Sequence, residues 1–440
     1  MRAEATGFTP FEALQLEIAG TRALDIPLTL EITRTEVTVS DTARLELDSS
    51  SNASSLVLKG EDLDTLSDNP DDLQAELQAL AGPAAGPNGG EIFVDGFSGA
   101  RLPPKSAIRE IRINRNPFSA EYDHPGFGRI EILTKPGTDQ FHGQAFFHFG
   151  GSRLNARNPF APTKPEAHLR FFNFSLSGPV ARHASFSLDA DRHTNQQTSV
   201  ISTAVLDATH NVTRFSQAVL SPMSRTLISP RLDVQLSPAH TLSLRYAENR
   251  LSQENWGVGQ LSLLSRAMNS SDSDHTLQLT ETAVLGPSAI NEIRAQWIRR
   301  ATRRSPLDTQ PAISVQGAFE AGGSPAGLAR DSQTRWEVQD VTTLTRGTHL
   351  VKFGGRLRGV ALGDYSTQNY NGTFVFPSLE AYRITLTGLA NGLSWSDIRA
   401  SGGGPSLFSP IASNPLARLR QADAGLFVQD DWRFRQNFSL

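Results

Sequence analysis

Residues 226–250 read TLISPRLDVQLSPAHTLSLRYAENR. In an extended chain, Leu232, Val234 and Leu236 share one face, while Arg231, Asp233 and Gln235 share the other. Beyond the link Ser237–His240, Leu242, Leu244 and Tyr246 stand opposite Ser243 and Arg245. Two such runs joined by a tight link predict an antiparallel hairpin with one apolar and one charged face.

The same pattern extends in both directions. Alternating segments of about ten residues fall at 141–150, 169–178, 184–193, 226–236, 241–250, 274–285, 290–300, 334–344, 349–359 and 421–432. In one of them, Ile293, Ala295 and Trp297 oppose Arg294 and Gln296. Short links at Gly178–His183, Ser237–His240, Gly286–Ala289 and Thr345–Thr348 alternate with long polar ones at 151–168, 194–225, 251–273, 301–333 and 360–420. A soluble sandwich or propeller has no reason to sort its connections this way. A membrane barrel does, because short turns face the periplasm, long loops face outward, and each tilted strand crosses with ~9–11 residues. The segments therefore predict about ten strands of an antiparallel transmembrane barrel, and the last residues, Arg433–Leu440, read as a turn entering an eleventh strand that does not follow. An open sheet leaves two unpaired edges in hydrocarbon, at a cost on the order of tens of kcal/mol. The barrel is accordingly expected to be incomplete, a fragment of a longer chain.

Composition agrees. Of 440 residues, 38% are hydrophobic and 20% charged, with 35 Gly and 25 Pro, and no apolar run approaches the ~20 residues of a membrane helix. Mean hydropathy is −0.30. A net charge of −4 gives no reason to expect a nucleic-acid partner. The absence of cysteine removes disulfides and thiolate chemistry. The start, Met1–Thr6, has no apolar signal core, so an outer-membrane location expects a leader that this chain does not carry.

The N-terminal third is different. Up to residue 45, Leu14, Leu16, Ile18, Leu28, Leu30, Ile32, Val37 and Val39 alternate in short bursts, as edge strands of a small sandwich would. Residues 62–80 carry Leu63, Leu66, Leu73, Leu77 and Leu80 at mostly helical spacing, with Asn69-Pro70 splitting the stretch and Asp68 or Asn69 as cap. Strands are expected at 91–95, 108–114 and 128–134.

The stretch Ile108–Gly137, IREIRINRNPFSAEYDHPGFGRIEILTKPG, resembles the end of the plug domain of TonB-dependent outer-membrane transporters. The matching features are Arg115 and Pro117 in a turn, Tyr122, Gly126, Gly128, and a last strand ending in Thr134-Lys135-Pro136-Gly137. Upstream, IFVDGF (Ile92–Phe97) looks like the plug's earlier strand with its Asp95-Gly96 turn, and LFVQDDWRFRQNFSL (Leu426–Leu440) resembles a barrel strand and turn of the Oar-like branch. The resemblance implies three parts: residues 1–45 as the end of a carboxypeptidase-regulatory-like sandwich, 46–138 as a plug with a mixed sheet and short helices, and 139–440 as barrel. Asp123 stands where the family usually has Gly, and reads as drift because Asp tolerates the left-handed region. Gly126 and Gly128 are expected to supply positive φ. Arg109, Arg112, Arg115 and Arg129 either pair with barrel carboxylates or are solvated.

No catalytic, metal or cofactor constellation stands above its bland explanation. His142 and His148 share a strand face, but six residues place them about 20 Å apart. Glu121-Tyr122-Asp123-His124 reads as a structural turn, and Asp272, Asp274 and His275 lack the glycine and terminal glutamate of a calcium loop. Ser401-Gly402-Gly403-Gly404-Pro405 has no Lys-Ser/Thr after it, so it reads as a flexible outer-loop tip. Phe146, Phe147, Phe149, Phe171, Phe172, Phe174, Trp297, Trp336 and Trp432 fit interfacial girdles; a sugar-stacking platform near the loops is the alternative. The resemblance thus implies a non-enzymatic outer-membrane protein taking up a siderophore, peptide or glycan, with membrane lipid and a TonB-type energy-coupling protein as partners. No TonB box is recognisable. The rivals are a structural or adhesive protein of the same architecture, and a carbohydrate-binding module in the N-terminal strands.

Overall fold

A computed structural model describes residues 2–3, 11–12 and, from 56 onward, all but 69, 87–89, 100, 114–117, 124–126, 155, 158, 160–162, 165–166, 436–437 and 440. Met1–Ser51 and Asn52–Leu440 are separate compact units. In the first, strands β1 (Arg2–Ala3) and β2 (Phe11–Glu12) pair antiparallel. The alternating bursts from Leu14 to Val39 lie outside the described residues.

The second unit begins with a five-stranded mixed sheet of order β3-β6-β7-β4-β5, formed by β3 (Leu56–Lys59), β4 (Ile92–Val94), β5 (Phe97–Ser98), β6 (Ile108–Ile113) and β7 (Ile130–Thr134). Its helices are α1 (Glu61–Asp64) and α2 (Pro70–Ala81), divided at Pro70 as the sequence predicts. The proposed cap at Asn69 lies outside the described residues. Leu73 and Leu77, one turn apart, are buried with Ile108, Ile111, Ile130 and Ile132. Each such side chain contributes about 2 kcal/mol. Leu80 is exposed instead of buried, and Ala81 takes the core position. This is the plug.

The second layer is an eleven-stranded antiparallel sheet. Its strands are β8 (His142–Gly151), β9 (His168–Ala181), β10 (Ala184–Leu206), β11 (Val212–Ser237), β12 (His240–Trp256), β13 (Met268–Gly286), β14 (Ala289–Pro306), β17 (Ala329–Arg346), β18 (His349–Ser366), β21 (Leu416–Arg435) and the short β22 (Phe438–Ser439). Ten long strands stand where ten are expected, and the four short links are two-residue turns. The sheet is not closed: β8 and β22 are its edges.

The long links differ from expectation. Residues 194–225 are mostly strand, not loop, because β10 and β11 stay paired from Ala184↔Val234 up to Leu206↔Val212. At ~3.3 Å per residue, the 23 residues of β10 run about 75 Å, far beyond the ~9–11 residues that cross a membrane. The links at 301–333 and 360–420 build a cap of β15 (Ala312–Val315), β16 (Phe319–Ala321), β19 (Thr373–Phe376) and β20 (Leu407–Ser409), with α3 (Leu379–Ala390) and α4 (Trp395–Ala400). Val315, Phe319 and Phe376 form its core. The glycine run 402–404 is no flexible tip. A Cβ at Gly403 would lie 2.8 Å from Ile398 and 2.9 Å from Ile384, and the Gly404 N–H donates to Thr385 Oγ1 at 2.7 Å.

Candidate functional site

The described chemistry is concentrated where the plug meets the inward face of the large sheet. Strand pairing decides which side chains point there. Arg231↔Arg245↔Gln278↔Gln296↔Glu337↔Arg358↔Asp423 is one continuous row across β11, β12, β13, β14, β17, β18 and β21. These are the charged and polar positions of the sequence dyads. They hold the plug where the sequence suggests a wet lumen.

The first anchor is the β4–β5 hairpin turn. Val94 pairs with Phe97, leaving Asp95 and Gly96 as a two-residue loop with φ of 50° and 82°. Both positive φ values make it the turn that Asp-Gly favours, because it matches strand twist. A Cβ at Gly96 would lie 2.6 Å from the Arg294 guanidinium. Asp95 Oδ1 accepts from the Thr134 N–H at 2.8 Å and Oδ2 from Thr134 Oγ1 at 2.6 Å. Oδ2 also faces Arg245 Nη1 at 3.4 Å and Arg231 Nη1 at 3.8 Å, and Arg231 donates to Thr134 Oγ1 at 2.7 Å. Two motif residues 39 positions apart are thereby tied to one pair of barrel arginines.

A second anchor continues along the same segment. Gln296 donates to the Ser98 carbonyl at 2.8 Å, Arg300 donates to the Gly99 carbonyl, and Arg101 pairs with Asp274 at 3.3 Å. Arg300 joins the same carboxylate at 2.6 Å. Beside it, a void of about 20 Å³ lined by Arg101, Leu102, Arg245, Asn249 and Asp274 has room for about one water.

The third anchor is the segment read as a structural turn. Asp123 pairs with Arg356, and with Arg358 Nη1 at 2.6 Å; Arg358 also reaches Asp423 at 3.1 Å. Glu121 meets Lys352 at 2.5 Å, and the Ala120 N–H donates to Gln429 at 2.9 Å. Burial pushes the Glu121 carboxyl up, but the ammonium of Lys352, together with Arg129 and Tyr122, more than offsets this and holds it below its ordinary value. Asp123 is therefore more than drift from glycine. It is absent from the described positive-φ residues and is a charge partner for two barrel arginines. His124 lies outside the described residues.

Other expectations fare differently. Arg112 pairs with Glu110 and Arg129 with Glu131, both inside the plug, while Arg109 is exposed. The plug–barrel polarity is thus largely reversed: the plug presents Asp95, Glu121 and Asp123, and the barrel presents the cations. Arg101, for which the sequence gives no such expectation, is a plug cation that reaches a barrel carboxylate. Arg129 also covers the Tyr122 ring at 3.5 Å, which gives that motif tyrosine its place. The Gly137 N–H donates to Asp233 at 3.0 Å, and the Lys135 N–H to the Ala107 carbonyl at 2.8 Å. The Gly128 N–H donates to Ala84 at 2.8 Å, and the plug's described left-handed glycines are Gly60, Gly82, Gly86, Gly90, Gly96 and Gly99. Arg115, Pro117 and Gly126 lie outside the described residues.

The candidate metal groups separate. Asp274 is held by arginines, Asp272 accepts from Thr302, and His275 faces outward to Tyr246. Among the described residues no three carboxylate or imidazole groups could hold an ion. Of the aromatics, Phe147, Phe172, Phe174, Trp297, Trp336 and Trp432 share the outward face. Phe146 and Phe171 do not: they contact each other at 5.8 Å between ring centroids on the inward face, beside His193.

An antiparallel sheet with an apolar outward face and a plugged inward face has a known counterpart. Residues 133–230 and 195–440 match the family described as outer membrane beta barrel domain. The chain belongs to that family. Barrels of this kind present their outward face to lipid and their short turns to the periplasm. No curated protein sequence matches this outer-membrane barrel significantly. Among solved structures it is similar in fold to the siderophore receptor PirA of Acinetobacter baumannii, at 15% identity, covering 87% of this chain and 55% of that one with a TM-score of 0.54. The outer membrane transporter YddB of Escherichia coli matches at 11% identity, 86% and 55% coverage and a TM-score of 0.56. A variant of the ferric enterobactin receptor PfeA of Pseudomonas aeruginosa matches at 14%, 89% and 56%, also with a TM-score of 0.56. The chain spans about 55% of the length of these structures.

Proposed function

We propose that this chain is the plug and the first barrel strands of a TonB-dependent outer-membrane receptor of the Oar-like branch, in which energised displacement of the plug admits a scarce solute. The observation that carries the reading is how the plug is seated. Its own core is apolar, yet it meets the barrel through carboxylates, amides and arginines around Asp95, Gly99 and Asp123. Polar contacts exchange with water at a net ~0.5–1.5 kcal/mol each, so such a seat can be released without unfolding the plug. The fold shared with two siderophore receptors and a transporter supports the same reading. Residues 1–45 are assigned, on sequence resemblance alone, to the end of a carboxypeptidase-regulatory-like domain.

Activity is proposed of the closed barrel, because an open sheet edge is not tolerated in hydrocarbon. The test is uptake of a labelled ferric siderophore, a labelled peptide and a labelled oligosaccharide by cells expressing the full-length protein. Uptake of at least one that vanishes when the TonB-type coupling protein is deleted is the expected result. Uptake of none, or uptake indifferent to that deletion, would leave a structural or adhesive role.

A further inference from the structure

The outward face of the sheet is charged differently at its two ends. Near the short turns each outward carboxylate has a donor on a neighbouring strand: Glu281 with His240 at 2.7 Å, Asp340 with Asn291 at 2.7 Å, Asp430 with His349 at 2.8 Å. Towards the outer end the outward charges on β14 and β17 are arginines. Trp297 stands directly opposite Trp336; two positions further out Arg299 faces Thr334, then Ala301 faces Ser332, then Arg303 faces Arg330. All five of these arginines and tryptophans are exposed. Among the described residues no ion pair joins Arg299, Arg303 or Arg330 to a carboxylate.

Like charges directly opposite across a strand pair destabilise it unless a counter-charge lies between them. Among the described residues none is supplied here, although each outward carboxylate named above has a hydrogen-bond donor. We propose that this face of β14 and β17 binds the phosphates of an outer-leaflet lipid whose head group carries more than one phosphate. The surface is continuous with the lipid-facing band, since the tryptophan pair sits at the boundary where aromatic girdles lie. Arg299 and Arg303 are four residues apart, or ~13 Å along the strand and ~10 Å in height at a tilt near 40°. That is deeper than a single phosphate. A planar guanidinium holds each phosphate through two parallel hydrogen bonds, which a lysine cannot do. Thr334 adds a hydroxyl beside Arg299.

The inference depends on outer-membrane residence and not on transport. The full-length protein is reconstituted in phosphatidylcholine bilayers containing brominated cardiolipin, a two-phosphate lipid, or brominated phosphatidylcholine, and tryptophan quenching is read. Cardiolipin is expected to quench at lower mole fraction than phosphatidylcholine, with Trp297→Phe/Trp336→Phe removing the quenched component. Arg303→Gln/Arg330→Gln should lower the cardiolipin preference about fivefold per arginine. Asp340→Asn should leave it unchanged. Equal quenching by the two lipids, or a preference that survives in the arginine double variant, overturns the proposal. Loss of the preference on adding millimolar pyrophosphate would assign the site to free anions and overturn it as well.

Discussion

Replacing Asp95 by Asn tests whether the plug is seated by charge. The change keeps an oxygen acceptor for the Thr134 N–H and removes the charge facing Arg245 at 3.4 Å and Arg231 at 3.8 Å. Deleting one side of a fully buried ion pair typically costs 3–5 kcal/mol. Two features reduce that here: the Asp95 side chain is 23% exposed, and Arg231 retains Asp233 at 2.9 Å. Arg245 has less recourse, since its side chain is 9% exposed and its other hydrogen bond is to Ser229 at 3.2 Å. A loss of about 2 kcal/mol follows, or roughly thirtyfold in an opening equilibrium. Hydrogen exchange on the full-length protein should show amides in Ile92–Phe97 and Ile130–Thr134 exchanging about thirtyfold faster, with β12 and β13 unchanged. Adding Arg245→Gln should restore part of the protection, because the stranded cation is gone. A change below threefold in the plug, or equal acceleration in the barrel strands, would refute the reasoning.

Three further outcomes are expected. Gly96→Ala puts a side chain at φ 82° against the Arg294 guanidinium, so plug opening should become easier by ~1–2 kcal/mol by the same exchange measurement. Asp123→Asn leaves Arg356 and Arg358 facing the plug without its carboxylate; with Asp123 32% exposed, the loss should be about 1 kcal/mol and shrink in high salt, read as faster proteolysis near residue 120. The Glu121–Lys352 pair should respond to acid. Because the folded Glu121 pKa is depressed, its contribution is complete above the ordinary carboxylate value near 4.3 and is lost as pH falls through the lower folded value. Glu121→Gln should therefore flatten that part of the acid-unfolding curve followed by tryptophan fluorescence.

The strands were legible because period-two alternation and two-residue turns are local signals. Ten long strands and the Asp95-Gly96 hairpin turn follow from neighbouring residues alone. The lumen face was legible as polarity but not as partnership. Nothing in the segment RLDVQ says that Arg231 meets an aspartate 136 positions earlier, because that contact depends on how the plug sits in the sheet. Arg112 and Arg129 went unread for the opposite reason. Their partners Glu110 and Glu131 are two residues away, on the same strand face, the spacing that the dyad reading itself supplies. Long polar segments misled at 194–225, where serine- and threonine-rich alternation looks like loop until a partner strand satisfies its backbone.

The contrast between the two faces of the plug bears on how it could move. Inside, Leu73, Leu77, Ile108, Ile111, Ile113, Ile130 and Ile132 are wholly or almost wholly buried, and exposing them together costs on the order of 10 kcal/mol. Outside, each anchor is a small group of ionic and hydrogen-bonded contacts next to water, worth ~1 kcal/mol apiece when exchanged for solvent. The contacts are also spread along three separate segments, 95–101, 119–123 and 134–137, so they can be released in sequence. A pull that breaks one group at a time meets barriers of a few kcal/mol, while unfolding the sheet must expose its core at once. Displacement as a folded body is therefore the cheaper route, and the reversed polarity of the interface favours it further. Arginines left on the wall face a wet lumen that solvates them, and the departing carboxylates carry their charge into water.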